Sequence, residues 1–320
     1  MPKSPRNILG FDIGGTKISA VVGSSDGEIR AKIEKSTIKH LGQERMTQQL
    51  IEMGQEAMES VGLKKADGIG IIFAGLVDKE KGMVVSAPNL PGMKKFGIGP
   101  ALQKHFGAPA VLENDATAAA IAERLFGAGR NVDDFAYITL STGIGGGFFS
   151  AGHLVRGAHG LAGEFGHNVI MINGPSCGCG RQGCLESLAS GKAISRRVKE
   201  NISALRDSEL LSRIPVQNLD AKAVFDAMEN GDGLSRLIVE ETVYFLAVGI
   251  VNVVCTLDPE LIILGGGITK SGSYLFPQLR KAIMDEFKSM KRPIRVVKAM
   301  PNVTDLAAVS LPLFYRQEDK

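Results

Sequence analysis

The sequence predicts an α/β chain. Three observations carry that reading. Apolar strand candidates alternate with helix-period segments along the 320 residues, three glycine turns stand at strand ends, and the second half restarts the pattern that opens the first. The first element is a β-hairpin: residues 8 to 22 place two apolar strands around Gly14-Gly15. Residues 29 to 36 form a third strand candidate after the turn at Ser25–Gly27. A helix follows over residues 43 to 60, with Met46, Leu50, Met53 and Ala57 on one side. Gly68 to Phe73 reads as a short buried strand running into Ala74 to Asp78. Residues 83 to 92 combine a strand candidate with a Pro-flanked loop around Asn89. Ala110 to Glu113 is a brief strand that runs into Asn114-Asp115 and an Ala-rich helix ending near Phe126.

The pattern then starts again. Phe135 to Leu140 is a strand, Ser141 to Gly147 the turn, and Phe148 the start of the returning strand. Apolar strand, glycine turn bearing a Thr, apolar strand: the echo of residues 8 to 22 suggests two related halves. Helices are expected over 186–204, 220–230 and 232–256, the last stopped by Asp258-Pro259. Residues 260 to 264 read as a buried strand before Gly265-Gly266-Gly267, 271 to 289 as helix, 295 to 298 as a short strand and 305 to 315 as a closing helix. Only residues 203 to 219 have weak periodicity.

Composition narrows the classes. A chain with 44% hydrophobic and 22% charged residues is ordinary globular material, long enough for two domains. The net charge of +3, spread rather than clustered, gives no reason to expect nucleic acid or an anionic membrane as partner. The N-terminus shows no apolar signal segment, and no apolar run approaches the roughly 18 residues of a membrane span. A cytoplasmic protein with reduced thiols is therefore expected.

The densest chemistry lies between Glu164 and Glu186. Glu164-Phe-Gly-His167 is followed by Cys177-Gly-Cys-Gly-Arg-Gln-Gly-Cys184, which holds three of the four cysteines. His167, Cys177, Cys179 and Cys184 make a Cys₃His set, the complement of a closed, structural zinc site. The Cys177-x-Cys179 spacing is tighter than usual for zinc, and Gly178 and Gly180 supply the backbone freedom it needs. Three unlinked thiols or a disulfide are the other readings. Cys255, inside an apolar run, reads as a small core residue.

The three glycine turns are candidate phosphate cradles. Gly14, Gly15, Thr16 and Lys17 form the first, Thr142 and Gly143 open the second, and Gly265 and Gly266 lead the third. Glycine lets backbone N–H groups approach an anion, while Thr and Lys add a hydroxyl and a cation. Hairpins use glycine in any case. Neither the P-loop pattern nor the dinucleotide fingerprint is present. Asp12, just before the first turn, is either a Mg²⁺ ligand or an acceptor for turn N–H groups. Asp115, where a strand gives way to a helix, is a candidate base; a helix N-cap is the plainer role and is compatible with it. Asn89, Asn114, Asp115, Glu164, His167 and Glu186 are polar groups in or beside loops that could converge on a polyhydroxyl substrate. A metal-bound imidazole would keep its second nitrogen for that purpose.

From residue 8 to about 315 these motifs resemble the ROK family of sugar kinases and regulators, a branch of the actin-like ATPase superfamily. Asp12-Ile-Gly-Gly-Thr-Lys17 is similar to its first phosphate motif. Leu112-Glu-Asn-Asp-Ala116 is similar to the segment bearing its catalytic Asp, and Leu140 to Gly147 to its second phosphate motif. Glu164 to His167 with Cys177 to Glu186 is similar to the family signature, and Ile262 to Gly267 to the adenosine-side motif. The resemblance implies a two-domain actin-like ATPase (ribonuclease H-like) fold with an interdomain cleft. It implies a small α/β domain of residues 1–117 plus 305–320 and a large one of 118–304 carrying the zinc loop. It also implies phosphorylation of a hexose hydroxyl by ATP with Mg²⁺, usually on C6, with Asp115 as base and Gly75, Asn89, Asn114, Glu164, His167 and Glu186 around the sugar. Zinc held by His167, Cys177, Cys179 and Cys184, and a homodimer or homotetramer, follow from it as well. Ala307-Ala308 departs from the family's frequent Gly-Ala pair in the last helix, a change that touches packing.

The expected activity is that of a glucokinase. N-acetylmannosamine and N-acetylglucosamine kinases look alike in these motifs, and a sugar-responsive ROK regulator is the remaining member of the group. Such a regulator carries a helix-turn-helix ahead of the first motif, where seven residues stand before Ile8. A zinc-knuckle nucleic-acid binder would need a basic, aromatic surround, which residues 167 to 186 lack.

Overall fold

The computed structural model describes residues 6–38, 42–87, 90, 92–201, 208, 210–288 and 294–318. The chain divides into two compact units: Met1–Asn131 with Met300–Lys320, and Val132–Ala299. The first break falls later than the expected 117/118 boundary. The helix that follows Asn114 packs against the closing helix, and the two stay in one unit.

The first unit is built on a five-stranded sheet. Strands β1 (Asn7–Ile13), β2 (Lys17–Ser24) and β3 (Ile29–Ser36) form an antiparallel meander, and β4 (Gly68–Phe73) and β7 (Ala110–Asn114) extend it in parallel, giving the order β3-β2-β1-β4-β7. Strands β5 (Leu76–Asp78) and β6 (Met83–Ser86) make a separate hairpin. Helix α1 (Gly42–Ser60) buries Met46, Leu50, Met53 and Ala57, the stripe its periodicity predicts. Helix α2 (Ile98–Phe106) was not expected: Gly99 and Pro100 in its first turn hide its periodicity. Helix α3 (Asp115–Phe126) follows β7 directly, and α9 (Val303–Glu318) closes the chain on β1, β4 and α3.

That last contact explains a glycine. A Cβ on Gly70 would lie 1.8 Å from the Ala308 carbonyl oxygen, so the backbone of α9 rests directly on β4. Ala308 itself is buried, and its methyl group fills the place beside Gly10.

The second unit repeats the topology. Strands β8 (Phe135–Leu140), β9 (Ile144–Ser150) and β10 (His153–Val155) are antiparallel, β11 (Leu261–Gly265) and β12 (Arg295–Lys298) parallel, in the order β10-β9-β8-β11-β12. Residues 144–147, expected in the turn, already belong to β9. The helix expected over 186–204 is two helices, α4 (Leu185–Ala189) and α5 (Gly191–Glu200); Ser190 breaks it and caps α5 by accepting the Ala193 N–H at 3.2 Å. Helices α6 (Ala221–Glu229), α7 (Gly233–Leu257) and α8 (Gly272–Glu286) complete the unit. Within 203–219 the described residues include two 3₁₀ turns, Leu211–Arg213 and Val216–Asn218.

Helix α7 corrects one expectation. It has 25 residues, its most apolar 18-residue stretch has a mean hydropathy of 1.9, and it is long and apolar enough to cross a bilayer. Its apolar side chains are instead spent on the core: Val239, Leu246, Ala247 and Ile250 are at most 1% exposed. Burying each larger one contributes about 1.5–3 kcal/mol. Glu240, Glu241 and Asn252 interrupt the exposed side, which is why no continuous apolar run marked it. Cys255, expected in the core, is exposed on the same helix.

Candidate active site

In the first unit the site grows from the ends of β1, β4 and β7. Parallel pairing sets Phe73 beside Asn114, so the residues after β4 meet the start of α3. There the Asn114 Nδ2 donates to the Gly75 carbonyl at 3.3 Å. Asn114 is also the N-cap of α3, its Oδ1 accepting the Ala116 N–H at 2.9 Å and the Thr117 N–H at 3.4 Å. Asp115 therefore is not the cap. It is the first helical residue, with its side chain exposed and one oxygen accepting the Ala116 N–H at 3.0 Å. The helix N-terminus favours its ionised form.

Asp12 stands at the end of β1 and is pushed up to about 7, first by desolvation and then by the carboxylates of Asp115 and Asp305; Lys32, which pairs with Asp305 at 2.8 Å, works in the other direction. A buried carboxyl group that also faces two carboxylates is costly to ionise alone, and a divalent cation placed there would offset that cost. The Gly14-to-Lys17 turn is closed by the Gly14 N–H donating to the Lys17 carbonyl at 3.0 Å, while the Thr37 hydroxyl bonds the Gly14 carbonyl at 2.7 Å. Gly15 and Thr16 form its tip. Lys17 carries an ion pair with Glu34 at 2.6 Å. Asn89 lies outside the described residues.

In the second unit the carboxylates gather on the start of β9. Glu186, in the first turn of α4, accepts the Ile144 N–H at 3.0 Å and lies against Gly143. The 3₁₀ turn Phe165–His167 seats on the Ile144 carbonyl: a Cβ on Gly166 would fall 2.0 Å from that oxygen, so the residue between Phe165 and His167 has to be glycine. Glu164 and His167 are thereby carried to the same edge.

The ligand atoms of His167, Cys177, Cys179 and Cys184 all lie within 4.8 Å of one another. The cysteines are free thiols, which removes the disulfide reading. The loop is drawn together by backbone bonds, Cys177 N–H to the Arg181 carbonyl at 2.8 Å and Gly180 N–H to the Cys177 carbonyl at 3.0 Å. Gly180 takes φ +87°, a left-handed value that suits glycine, whereas Gly178 has no positive φ. His167 points Nδ1 at the Cys177 sulfur (3.5 Å) and Nε2 at a Glu164 oxygen (3.6 Å). Burial and the adjoining Cys179 and Cys177 push the Cys184 thiol up to about 12. Thiols crowded in this way ionise together only with a cation among them, so the donor set fits a tetrahedral Zn²⁺.

A cavity of about 940 Å³ opens in the same unit, at the upper end of the size usual for small-molecule sites. Thr142 and Gly267 reach it from two of the glycine turns. Gly265 and Gly266 do not line it; they press on Tyr137 and on the Leu140 backbone. Sequence reading missed the side chains that complete it, among them Lys192, Arg196 and Lys199 of α5, Phe225 of α6, and Lys270. The spacing of the three α5 cations, i, i+4 and i+7, places them on one helix face and was the available signal.

Two glycine-turn sheets of one strand order define a two-domain ATPase of the actin-like class. Residues 8–304 match the ROK family. The chain is 37% identical over 287 residues to a glucokinase of Thermotoga maritima, covering 89% of each chain, and 32% identical over 267 residues to an N-acetylmannosamine kinase of Escherichia fergusonii, covering 83% of this chain and 85% of that one. It superposes with a TM-score of 0.82 and 32% identity on a ROK family glucokinase from Streptomyces griseus in complex with glucose and AMPPNP, covering 96% and 98% of the two chains. The protein belongs to the ROK family.

Proposed function

We propose that the protein transfers the γ-phosphoryl group of ATP to a hexose, with the C6 hydroxyl of glucose as acceptor. One observation carries the mechanism: Asn114 takes the capping role, which leaves the Asp115 carboxylate exposed at the first position of α3. Asp115 accepts the proton of the sugar hydroxyl as its oxygen attacks the γ-phosphorus; the bond to the bridging oxygen breaks and ADP leaves. Phosphoryl transfer depends more on positioning and charge neutralisation than on a strong base, and an aspartate on a rigid strand–helix junction suits it. Gly75, Asn89, Asn114, Glu164, His167 and Glu186 hold the sugar. Asp12, Gly14, Gly15, Thr16 and Lys17 serve the phosphates from the first unit. Thr142, Gly143, Gly265 and Gly266 form the nucleotide side of the second, with the cavity taking the nucleoside. Mg²⁺, which Asp12 would help to hold, supplies neutralisation of phosphate charge.

His167, Cys177, Cys179 and Cys184 would hold structural Zn²⁺. With Nδ1 aimed at the thiols, the imidazole keeps Nε2 for Glu164 and a sugar hydroxyl. An ATP-consuming enzyme of this kind works in the cytoplasm, as a homodimer or homotetramer, which light scattering on the eluted protein tests. The decisive experiment is a coupled ADP-release assay over a panel of hexoses and N-acetylhexosamines. Release fastest with glucose supports the reading. Release fastest with N-acetylmannosamine favours the second reading, to which the Escherichia fergusonii relative points. Absence of release with every sugar overturns both.

A further inference from the structure

Glu123 is the fully buried carboxylate that the mechanism above does not use; its side chain is 0% exposed. It sits in the last turn of α3, and its two oxygens go to two different parts of the chain. Oε2 accepts the Ala128 N–H at 2.8 Å, and Oε1 accepts the Met300 N–H at 2.8 Å. Those two residues flank the places where the chain changes units. It leaves the first unit after Asn131 and re-enters at Met300. The re-entry is abrupt. The Ala299 N–H still donates to the Leu264 carbonyl of β11 at 2.9 Å, and the next N–H, that of Met300, goes to Glu123. On the outgoing side Ala128 is held by Glu123, and within the second unit the Asp133 carbonyl accepts from the Gly152 N–H at 3.0 Å.

The site is built around this carboxylate. A Cβ on Gly127 would lie 1.9 Å from Oε2, so only glycine leaves room for the bond to Ala128. Burial pushes the carboxyl group up, and the N–H groups of Met300 and Ala128 pull it back. A buried carboxylate satisfied by backbone donors holds those donors more firmly than a neutral acceptor would.

We propose that Glu123 is a positioning residue: it clasps the two segments of the first unit at which the chain leaves and re-enters, at Ala128 and Met300, to the helix that carries Asp115. The role of Asp115 rests on the kinase reading; the clasp itself does not. Helix α3 spans 12 residues, with Asp115 at its first position and Glu123 in its last turn. Both segments are therefore referred to the helix that aims the base, so loosening them disturbs its placement.

The test uses Glu123→Gln, which keeps size and helix propensity and replaces one acceptor by an amide donor. Hydrogen exchange on the unliganded variant should rise by about tenfold in residues 127–132 or 299–303, with α1 and the first turns of α3 unchanged. In the coupled assay kcat should fall by about tenfold while KM for sugar and for ATP stays within about twofold, the pattern of a misplaced base. Gly127→Ala, which displaces the carboxylate without removing it, should give the same exchange pattern. Unchanged exchange in both segments overturns the clasp. Faster exchange with unaltered kcat leaves a purely structural clamp and overturns the positioning role. If the wild-type protein phosphorylates no sugar, the reading of Asp115 is what fails, and exchange alone decides the clasp.

Discussion

The β1–β2 turn and the β8–β9 turn occupy the same place in two sheets of the same strand order, and they are equipped differently. The first stands beside carboxylates: Asp12 is the penultimate residue of β1, burial and then Asp115 raise the Asp12 pKa, and the one cation of the turn, Lys17, is paired with Glu34. The second stands on Glu186, and Thr142 opens into a cavity lined by Lys192, Arg196, Lys199, Lys222 and Lys270 together with Glu200, Asp220 and Asp226. Topology thus repeats while the polar residues at the strand ends do not. Strand order is set by the apolar pattern, which both halves share. The chemistry is set by a few polar residues at strand ends, which are free to diverge because they contribute little to the core. On the proposed reading the base belongs to the first unit, while both units hold ligands.

The sharpest way to break that assignment is Asp115→Asn. Turnover should fall by about 10²- to 10⁴-fold, with the dissociation constants for sugar and ATP nearly unchanged by calorimetry. Near-normal turnover would remove the base from the first unit. Gly70→Ala asks whether the first sheet depends on the close seat of α9. It should destabilise the first unit by about 3 kcal/mol, read as faster exchange in residues 6–131 with residues 132–299 unaffected. Cys179→Ser opens the four-donor set. Elemental analysis should show the metal lost, and KM for sugar should rise by about tenfold while ATP affinity stays; full metal content in the variant would refute the ligand set. The smallest effect is expected from Lys270→Glu in the cavity, a rise of about fivefold in KM for ATP with sugar KM unchanged. A change in sugar KM instead would reassign the cavity.

Much of the fold was legible because it follows local rules. The hairpins were marked by glycine turns between apolar runs, α1 by its methionine and leucine stripe, and β7–α3 by an apolar strand meeting Asn114-Asp115. The Cys₃His set was legible from residue type alone, since three cysteines and a histidine within eighteen residues have few uses. What escaped was short or depended on partners distant in sequence. The three-residue strand β10 has no period to detect. Ser190 ends one helix and caps the next, and this appears only when the Ala193 N–H is seen to reach its hydroxyl. Asn114 and Asp115 are equally good caps by type, and which one turns inward depends on Gly75, thirty-nine residues away.

By itself, then, the chain dictated its alternation of strands and helices, its Cys₃His cluster and its acidic and glycine-rich strand ends, because those are properties of neighbours and of spacing. Only the folded molecule decided which carboxylate stays exposed, which glycines pack directly against a neighbouring backbone, and that Glu123 ties Ala128 to Met300. Those outcomes depend on donors and backbone surfaces that meet only after the sheets have formed, and no local pattern in the sequence records such meetings.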